Sequence, residues 1–326
     1  MLNVRITQID GALPNVALMR IASWHKAKGD VVTVTRHIER SLFEPADYDA
    51  VYGSCIFSFS RDRLERFLRQ WPGAMVGGTG TGNPITVEHL LGDYGEFDYE
   101  GYEGFSASIG FTQRGCRLKC KFCVVPAKEG KNRSTGTIAQ IWRGDPWPKH
   151  IHLLDNDFFG QPNYQAIVAE IREGDFKVCF SQGINTRLIT DESAEALATI
   201  KFSDTKFTRR RLYTAWDNLK DEKVFFTGVE RLRKAGIRPT QLMCYMLVGF
   251  DPSETWDRIW YRFNRMVGLG IDPYPMVYDE KRADLKCFQR WVITRIYKTT
   301  PWDEYRRETK SRESNDAYLR VKATHP

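Results

Sequence analysis

The stretch ASIGFTQRGCRLKCKFCVVP, residues 107–126, decides how this chain is interpreted. The apolar run ASIGFT leads directly into three cysteines, Cys116, Cys120 and Cys123, which are spaced C-x3-C-x2-C with Phe122 before the last. Thiolate sulfur is the ligand that iron–sulfur clusters use, and three thiolates can hold three corners of a cubane 4Fe-4S cluster. The fourth iron would be open to a substrate or cosubstrate, so the spacing predicts a catalytic centre.

A structural zinc site of the Cys3His type is the alternative interpretation of the same cysteines. Such a site needs a fourth ligand and a closed tetrahedral shell. His150 and His152 lie too far along the chain to complete a compact zinc knuckle, although folding could bring one of them near. The spacing therefore favours the cluster.

The remaining cysteines are scattered singly in or beside apolar runs, at Cys55, Cys179, Cys244 and Cys287. Buried free cysteine behaves as a small hydrophobic residue, so we predict that these four lie in the core. The sequence has no recognisable signal peptide and no apolar stretch of about eighteen residues. We therefore expect a cytoplasmic protein with reduced thiols and no membrane contact.

Six apolar runs of strand length recur from the cysteine loop onward. They are ASIGFT (107–112), HIHLLD (150–155), KVCFSQ (177–182), RLYTAW (211–216), QLMCYMLVGF (241–250) and PYPMVY (273–278). Polar helical segments separate them, so we predict buried parallel strands in six β/α units that form an open partial barrel. Chemistry in such barrels collects at the carboxyl ends of the strands, where the cysteine loop begins.

The first hundred residues alternate strands and helices in the same way. Strands are predicted over 4–9, 31–34, 49–57 and 74–78, and helices over 15–29 and 61–70. This alternation predicts a parallel sheet of the doubly wound type. The glycine-rich run GGTGTGN could cradle a phosphate through its backbone N–H groups, but a plain turn between strand and helix is the simpler interpretation.

The cysteine loop and the order of the later motifs resemble the radical SAM superfamily. The motifs are LPNVALM, LDND, the SQGINTRL run, AWDN, VGFDPSET and a late FQRWV. The similarity covers nearly the whole chain and is to a phage and bacterial group with a vestigial cobalamin-binding-like front domain. It implies reductive cleavage of S-adenosylmethionine (SAM) at the cluster, giving methionine and a 5′-deoxyadenosyl radical that takes hydrogen from an unidentified substrate.

The resemblance also implies which residues contact SAM. Phe122 would pack beside the adenine, with Val248 and Gly249 as its backbone neighbours. The other strand ends would supply polar contacts from Asp155, Asn156, Gln182, Asn185, Arg187 and Asp217. Asp155 and Asn156 depart from the family's Gly-Gly-Glu pattern, so capping of a helix N-terminus is an alternative role for them.

Cobalamin is not expected, because the family's Asp-x-His-x-x-Gly motif, which supplies the lower cobalt ligand, is absent. The second cluster of methylthiotransferases is not expected either, because the front half contains only Cys55. We therefore predict a degenerate cobalamin-binding-like domain over 1–104, a radical SAM partial barrel over 105–280 and a basic helical segment over 281–326.

Most of the net charge of +7 lies in this basic segment, which has twelve Lys or Arg against six Asp or Glu, a surplus of six. Its aromatic residues alternate with basic ones, which suggests a nucleotide or nucleic-acid base as substrate. These aromatic residues are Trp291, Tyr297, Trp302 and Tyr305. Packing in a core is the alternative role for them, and we favour it for most of the four.

Basic residues also surround the cysteines, at Arg114, Arg117, Lys119 and Lys121. They could steer an acidic electron donor such as a flavodoxin or ferredoxin, bind an anionic substrate, or only keep the loop soluble. The alternative from another functional class is a nucleic-acid-binding protein whose cluster is structural or redox-sensing.

The cysteine spacing makes a direct prediction about iron. Protein reconstituted anaerobically with iron and sulfide should hold about one 4Fe-4S cluster per chain. Replacement of Cys116, Cys120 and Cys123 by Ala should abolish it, whereas Cys55→Ala should leave the iron and sulfide content unchanged. Retention of the cluster in the triple variant would refute the assignment of these ligands.

Overall fold

The computed structural model describes residues 1–45 and 47–307, so the predicted basic segment is described only as far as residue 307. The chain divides into two compact units. The first comprises Met1–Gly110, Val124–Gly130 and Gln140–Ile151, and the second comprises Phe111–Cys123, Lys131–Ala139 and the chain from His152 onward. In the described ranges, no helix is both long enough and apolar enough to cross a membrane.

The strands in chain order are β1 (Asn3–Gln8), β2 (Val31–Thr35), β3 (Ala50–Ser54), β4 (Met75–Gly77), β5 (Ser108–Gly110), β6 (Gln113–Arg114), β7 (Arg133–Ser134), β8 (His150–Leu153), β9 (Lys177–Phe180), β10 (Lys201–Phe202), β11 (Leu212–Ala215), β12 (Leu242–Val248) and β13 (Asp272–Val277). The helices are α1 (Val16–Ala27), α2 (Arg61–Gln70), α3 (Val87–Leu91), α4 (Val125–Glu129), α5 (Ile138–Ile141), α6 (Tyr164–Glu173), α7 (Asp191–Ala198), α8 (Glu222–Lys234), α9 (Trp256–Gly268) and α10 (Ala283–Ile293). Residues 302–307 are also helical.

The fold is mixed α/β with parallel strand pairing, as predicted. Each of the ten apolar segments predicted as strands contains a strand. The short strands β6, β7 and β10 were not predicted, because two residues are too few to show an alternating pattern.

The sheet of the first unit has the strand order β2-β1-β3-β4, and its neighbouring strands are parallel. The first three of these strands have the order of a doubly wound sheet of flavodoxin type. One hydrophobic cluster joins Ile6 of β1 to Leu18 of α1. A second joins Ile9, just after β1, to Phe67 of α2. Helices cover a sheet of this kind by burying apolar side chains against it, and α1 and α2 do so through these two clusters.

Arg5 lies fully buried in β1, an inner strand of this sheet. Its Nε donates to Glu44 Oε2 at 2.8 Å and its Nη2 donates to the His37 carbonyl at 2.9 Å. Its guanidinium also lies 4.5 Å from the centre of the Trp71 ring. A buried charge is tolerated when it is paired in this way, so Arg5 ties the chain between β2 and β3 to the sheet.

The remaining parallel strands form two sheets, with the orders β10-β9-β8-β5 and β11-β12-β13. Along β12, buried residues such as Cys244 alternate with partly exposed ones such as Tyr245. Because successive side chains of a strand point to opposite faces, one face of β12 is packed and the other is more open. Tyr213 and Tyr274 from the flanking strands contact the ring of Tyr245 on this more open face.

The glycine-rich run over residues 77–83 follows β4 and packs closely against the end of β3. The Gly80 N–H donates to the Cys55 carbonyl at 3.0 Å, and the Cys55 N–H donates to the Gly77 carbonyl at 3.0 Å. A Cβ on Gly80 would lie 2.4 Å from the Phe57 carbonyl oxygen. This close approach of two backbones accounts for the glycine and supports the interpretation of the run as a turn.

The aromatic residues near the C-terminus pack against one another. Trp291 is 5% exposed, and its Nε1 donates to the Thr300 carbonyl at 2.9 Å. Trp302 lies with its ring centre 5.5 Å from that of Trp291, and Tyr297 lies 5.8 Å from it. The core-packing alternative is therefore correct for these rings, and they do not form an exposed stacking surface.

Three of the four scattered cysteines are buried as predicted, namely Cys55, Cys179 and Cys244. Cys287 is only partly buried, so the prediction fails for it. The buried positions of α10 include Leu285 and Phe288, and Cys287 falls beside that stripe rather than on it. A helix buries only the face that repeats every three to four residues.

The close approach at Gly80 predicts a specific loss of stability. Gly80→Ala should lower the free energy of unfolding by about 1–3 kcal/mol, because the new methyl group meets backbone that cannot rotate away. Gly73→Ala is the matched control, because its Cβ would meet nothing within 4 Å, and it should change stability by less than about 0.5 kcal/mol. Urea unfolding followed by tryptophan fluorescence measures both. Equal stabilities would contradict the packing role.

Candidate functional site

Each of the three cysteines of the loop is partly exposed. The Leu118 N–H donates to Cys116 Sγ at 3.4 Å. Burial raises the pKa of Cys116, and the nearby negative charges of Asp157, Cys120 and Cys123 raise this pKa further. The three sulfurs therefore lie within electrostatic reach of one another. Positive charge from bound iron would favour their thiolate forms.

Asp157 holds the cysteine loop in place by accepting hydrogen bonds from Arg117. Its carboxylate is fully buried and accepts from Arg117 three times, from Nε at 2.7 Å, from Nη2 at 3.0 Å and from the backbone N–H at 3.1 Å. Asn132 Nδ2 donates to the same carboxylate at 3.1 Å. A two-pronged Arg–carboxylate pair sets direction as well as distance. Arg117, one residue after Cys116, is thus held in place and is not a freely moving charge.

Asp155 holds the start of the same loop. Its Oδ1 accepts from the backbone N–H groups of Thr112 at 2.8 Å and of Gln113 at 3.1 Å, and its Oδ2 accepts from the Thr112 hydroxyl. The side chain is 3% exposed. Both carboxylate oxygens thus accept hydrogen bonds from the loop, a role that the sequence did not predict, and contact of Asp155 with SAM stays a prediction.

Arg187 is the predicted SAM-contact residue that the structure brings to the cysteines. Its Nη2 donates to Cys120 Sγ at 3.4 Å, and its Nη1 donates to Asp221 Oδ2 at 2.8 Å. Burial acts to lower the pKa of Arg187, but the hydrogen bonds to the Cys120 sulfur and to Asp221 outweigh burial and raise this pKa. A permanent positive charge therefore lies beside one of the three candidate iron ligands.

Phe122 contacts Phe250, which lies just beyond the end of β12. Its ring centre is 5.5 Å from that of Phe250, with the two planes at 75°. Phe250 in turn contacts Tyr278 edge-on at 4.8 Å. Edge-to-face contacts of this kind stabilise a row of rings. The row joins the cysteine loop to Gly249, the neighbour of Phe250.

A buried cation organises the carboxyl ends of β11 and β12. Arg262 is 1% exposed, and it donates to the carbonyls of Trp216 at 3.1 Å, Asp217 at 3.2 Å and Leu247 at 2.9 Å. It also forms an ion pair with Glu254. These acceptors offset the free-energy cost of burying the Arg262 charge.

Two predicted SAM-contact residues belong to this network. The Gly249 N–H donates to Glu254 Oε2 at 2.8 Å, and the Leu247 N–H donates to Asp217 Oδ1 at 3.0 Å. The pKa of Asp217 is raised, because burial outweighs the hydrogen bond from Leu247 and the charges of Arg187 and Arg262, which act to lower it. Gly249 has a φ of +80°, which favours glycine, and a Cβ on it would lie 2.8 Å from Leu285 Cδ1, so that side chain would have to shift.

The other predicted contact residues differ in burial. Val248 is fully buried, Asn156 and Asn185 are half-buried, and Gln182 is exposed. Their contact with SAM remains a prediction.

The alternative zinc site would need a fourth ligand. Among residues 1–45 and 47–307, no three His, Cys, Asp or Glu side chains are grouped so as to hold one ion, the three loop cysteines included, so this finding does not distinguish zinc from a cluster. His152, a potential fourth zinc ligand, is buried, and its Nδ1 is hydrogen-bonded to Ser181 Oγ at 3.0 Å. Coordination of zinc through this nitrogen would require the hydrogen bond to break. Metal analysis of the reconstituted protein distinguishes iron from zinc.

Sequence reasoning missed the contacts that Asp157, Asp221 and Arg262 make at the candidate site. Asp157 had a signal, because the LDND motif contains two acidic residues at the end of a strand. Arg262 had none, since it follows a helical pattern in which arginine usually faces solvent. Only the folded chain shows which charged residues are buried.

The environment of Asp155 predicts a pH dependence of stability. Burial raises its pKa from 3.8 to about 7, despite the hydrogen bonds from Thr112 and Gln113 that lower it. The folded state thus binds this proton more tightly than the unfolded state does. The resulting stabilisation is complete below about pH 4 and is lost as the pH rises through about 7, by up to about 4 kcal/mol.

Asp155→Asn tests this, because the amide oxygen still accepts from the two backbone N–H groups and does not titrate. Urea unfolding of the cluster-free protein from pH 4 to pH 8 should show stability falling in the wild type relative to this variant. Asp62→Asn, at an exposed position, is the control and should run parallel to the wild type. Parallel curves for Asp155→Asn would contradict the prediction.

Comparison with known proteins gives no family assignment. The chain matches no protein-family model, no curated protein and no solved structure. The case for a function therefore depends on the cysteine spacing and on the geometry around the loop.

Proposed function

We propose that this chain is a radical SAM enzyme, which cleaves SAM reductively at a 4Fe-4S cluster. The arrangement of the cysteine loop is the observation that carries the proposal. The loop is anchored by Asp155 and Asp157 beyond the end of β8, and its Cys120 accepts a hydrogen bond from Arg187. Chemistry at the carboxyl ends of strands is typical of β/α barrels.

The finer fold that we propose is a partial barrel of β5, β8, β9, β11, β12 and β13, in which the two-residue β10 pairs with the first residues of β9. The order β10-β9-β8-β5 and the order β11-β12-β13 supply its two parts. The Ile184 N–H, beyond the end of β9, donates to the Tyr213 carbonyl of β11 at 2.8 Å, which supports a link between them. For the first unit we propose a cobalamin-binding-like origin, in keeping with its strand order.

We propose that this first unit works without cobalamin. In doubly wound sheets, ligands bind beyond the carboxyl ends of the strands where the strand order reverses, here β1 and β3. Asp10 lies there, and its carboxylate accepts from the N–H groups of Ile56 at 2.8 Å and Phe57 at 2.9 Å. These donors are used by the chain itself, which argues against an anionic ligand at this position.

Each residue of the site has a separate role in this proposal. Cys116, Cys120 and Cys123 would hold the cluster, which supplies the electron that splits SAM into methionine and a 5′-deoxyadenosyl radical. Phe122, braced by Phe250, would form an apolar wall beside the adenine. A rigid wall positions the reactive carbon against its target and keeps water out.

The strand-end network would position the adenosine in turn. Arg262 and Glu254 fix the backbone of Gly249 and the carbonyl of Asp217. Arg187 would contribute a fixed positive charge between the cysteines and Asp221. Groups held this firmly need no rearrangement when charge develops, which is the basis of electrostatic preorganisation.

For the substrate we propose a nucleotide or a nucleic-acid base. The basic composition of the C-terminal segment supports it, whereas the aromatic rings of that segment no longer do, since they pack together. Tyr245 is the partly exposed ring of a stacked pair inside the second unit, and its partner Tyr213, whose ring centre lies 6.2 Å away, is 6% exposed. A flat base would therefore stack on the Tyr245 ring alone.

For the reductant we propose an acidic electron carrier such as a flavodoxin or ferredoxin. Lys119 and Lys121 are exposed on the cysteine loop, and no described ion pair neutralises them. Arg117 contributes less to such a surface, because Asp157 neutralises it. Two exposed positive charges beside the candidate cluster would attract an acidic partner at low ionic strength.

Product analysis tests the enzyme directly. Reconstituted protein incubated anaerobically with SAM and dithionite should form 5′-deoxyadenosine, measured by liquid chromatography and mass spectrometry. The variant with Cys116, Cys120 and Cys123 replaced by Ala should fall to background. Cys287→Ala is the matched control, because it removes a partly exposed thiol outside the loop and should leave the product unchanged.

Cluster-loaded protein that forms no 5′-deoxyadenosine would contradict the proposal. That outcome would favour the alternative, a nucleic-acid-binding protein with a structural or redox-sensing cluster.

A further inference from the structure

We propose that Arg187 sets the reduction potential of the cluster, by donating a hydrogen bond to the sulfur of Cys120. This inference rests on the function proposed above, because it needs a cluster bound at the three cysteines. It gives Arg187 a different role from the SAM contact that the sequence resemblance implies. Arg187 would be a positioning and tuning residue that acts through a ligand of the cluster.

The geometry provides one hydrogen bond to sulfur and one to a carboxylate. Nη2 of Arg187 lies 3.4 Å from Cys120 Sγ, and Nη1 lies 2.8 Å from Asp221 Oδ2. The side chains of Arg187 and Asp221 are 19% and 22% exposed. Charges this far shielded from solvent are screened less by salt than surface charges are. The guanidinium also keeps its charge at every accessible pH.

The segment that carries Arg187 is held tightly in place. Residues Thr186–Leu188 form a single 3-10 turn. Gly228 of α8 lies so close that a Cβ on it would be 2.0 Å from the Thr186 carbonyl oxygen. Arg231, one turn further along α8, donates through Nη1 to the Ile189 carbonyl at 2.6 Å. Arg187 therefore extends from a fixed backbone, which keeps its guanidinium group directed at Cys120.

The direction of the effect follows from electrostatics. Reduction adds one electron, supplied by the external electron carrier or by dithionite, and makes the cluster and its thiolates more negative. No proton moves, since Arg187 keeps its own. A cation hydrogen-bonded to a ligand sulfur stabilises the reduced state more than the oxidised state. Arg187 should thus raise the midpoint potential and ease reduction of the cluster.

Asp221 has the opposite effect on the cluster. Its carboxylate offsets part of the positive charge of Arg187 at a distance of 2.8 Å. The pair thus lets the chain hold a hydrogen-bond donor at Cys120 without a large net charge beside the cluster. Removal of one member or the other should shift the potential in opposite directions, which a purely structural role would not produce.

Redox titration of the reconstituted protein, followed by electron paramagnetic resonance, tests the inference. Arg187→Gln should lower the midpoint potential and Asp221→Asn should raise it. Arg211→Gln is the matched control. Arg211 pairs with Asp272 at 2.7 Å, and the two side chains are 17% and 21% exposed, so this change removes an equally shielded ion pair. Its potential should equal that of the wild type.

Iron and sulfide content, measured on every variant, separates the two levels of the argument. With full iron content, a potential in Arg187→Gln equal to that in Arg211→Gln would overturn the inference and leave the proposed function standing. A lower potential in Asp221→Asn than in the wild type would also overturn it. If the wild-type protein assembles no cluster, the proposed function fails and this inference fails with it.

Discussion

The arrangement of the candidate site depends on two buried carboxylates at the end of β8. Asp155 accepts from the first residues of the cysteine loop, and Asp157 accepts from Arg117 inside it. Burial of a carboxylate is costly unless it is well hydrogen-bonded, and each of these receives at least three hydrogen bonds. The satisfied acceptors fix a short, irregular segment of the chain.

A second buried charge performs the same task at the ends of β11 and β12. Arg262 donates to three backbone carbonyls and pairs with Glu254, which in turn accepts from Gly249. The pKa of Arg262 is lowered, because burial outweighs the charges of Glu254 and Asp217, which act to raise it. Polar groups thus order the strand ends, where irregular backbone leaves donors and acceptors unpaired. Apolar packing alone would leave those groups without partners.

The order and type of the main elements could be predicted because apolar runs and helix signals are local. The helix predicted over 61–70 is α2, Arg61–Gln70, and Asn15 caps α1 by accepting from the Leu18 N–H at 3.2 Å. Local signals failed where an element is too short or where burial depends on a neighbour. Strand β10 has two residues, and Cys287 lies beside the buried stripe of α10.

The sequence by itself determined the three cysteines as candidate cluster ligands and the order of the longer strands and helices, because spacing and chain conformation are properties of short segments. Only the tertiary structure decided which charged residues meet. Arg187 reaches Cys120 across 67 positions of the chain, and Arg117 reaches Asp157 across 40. Residues so far apart carry no mutual signal in one sequence. Their pairing is set by the cost of burying a charge without a partner, which arises only when the chain folds.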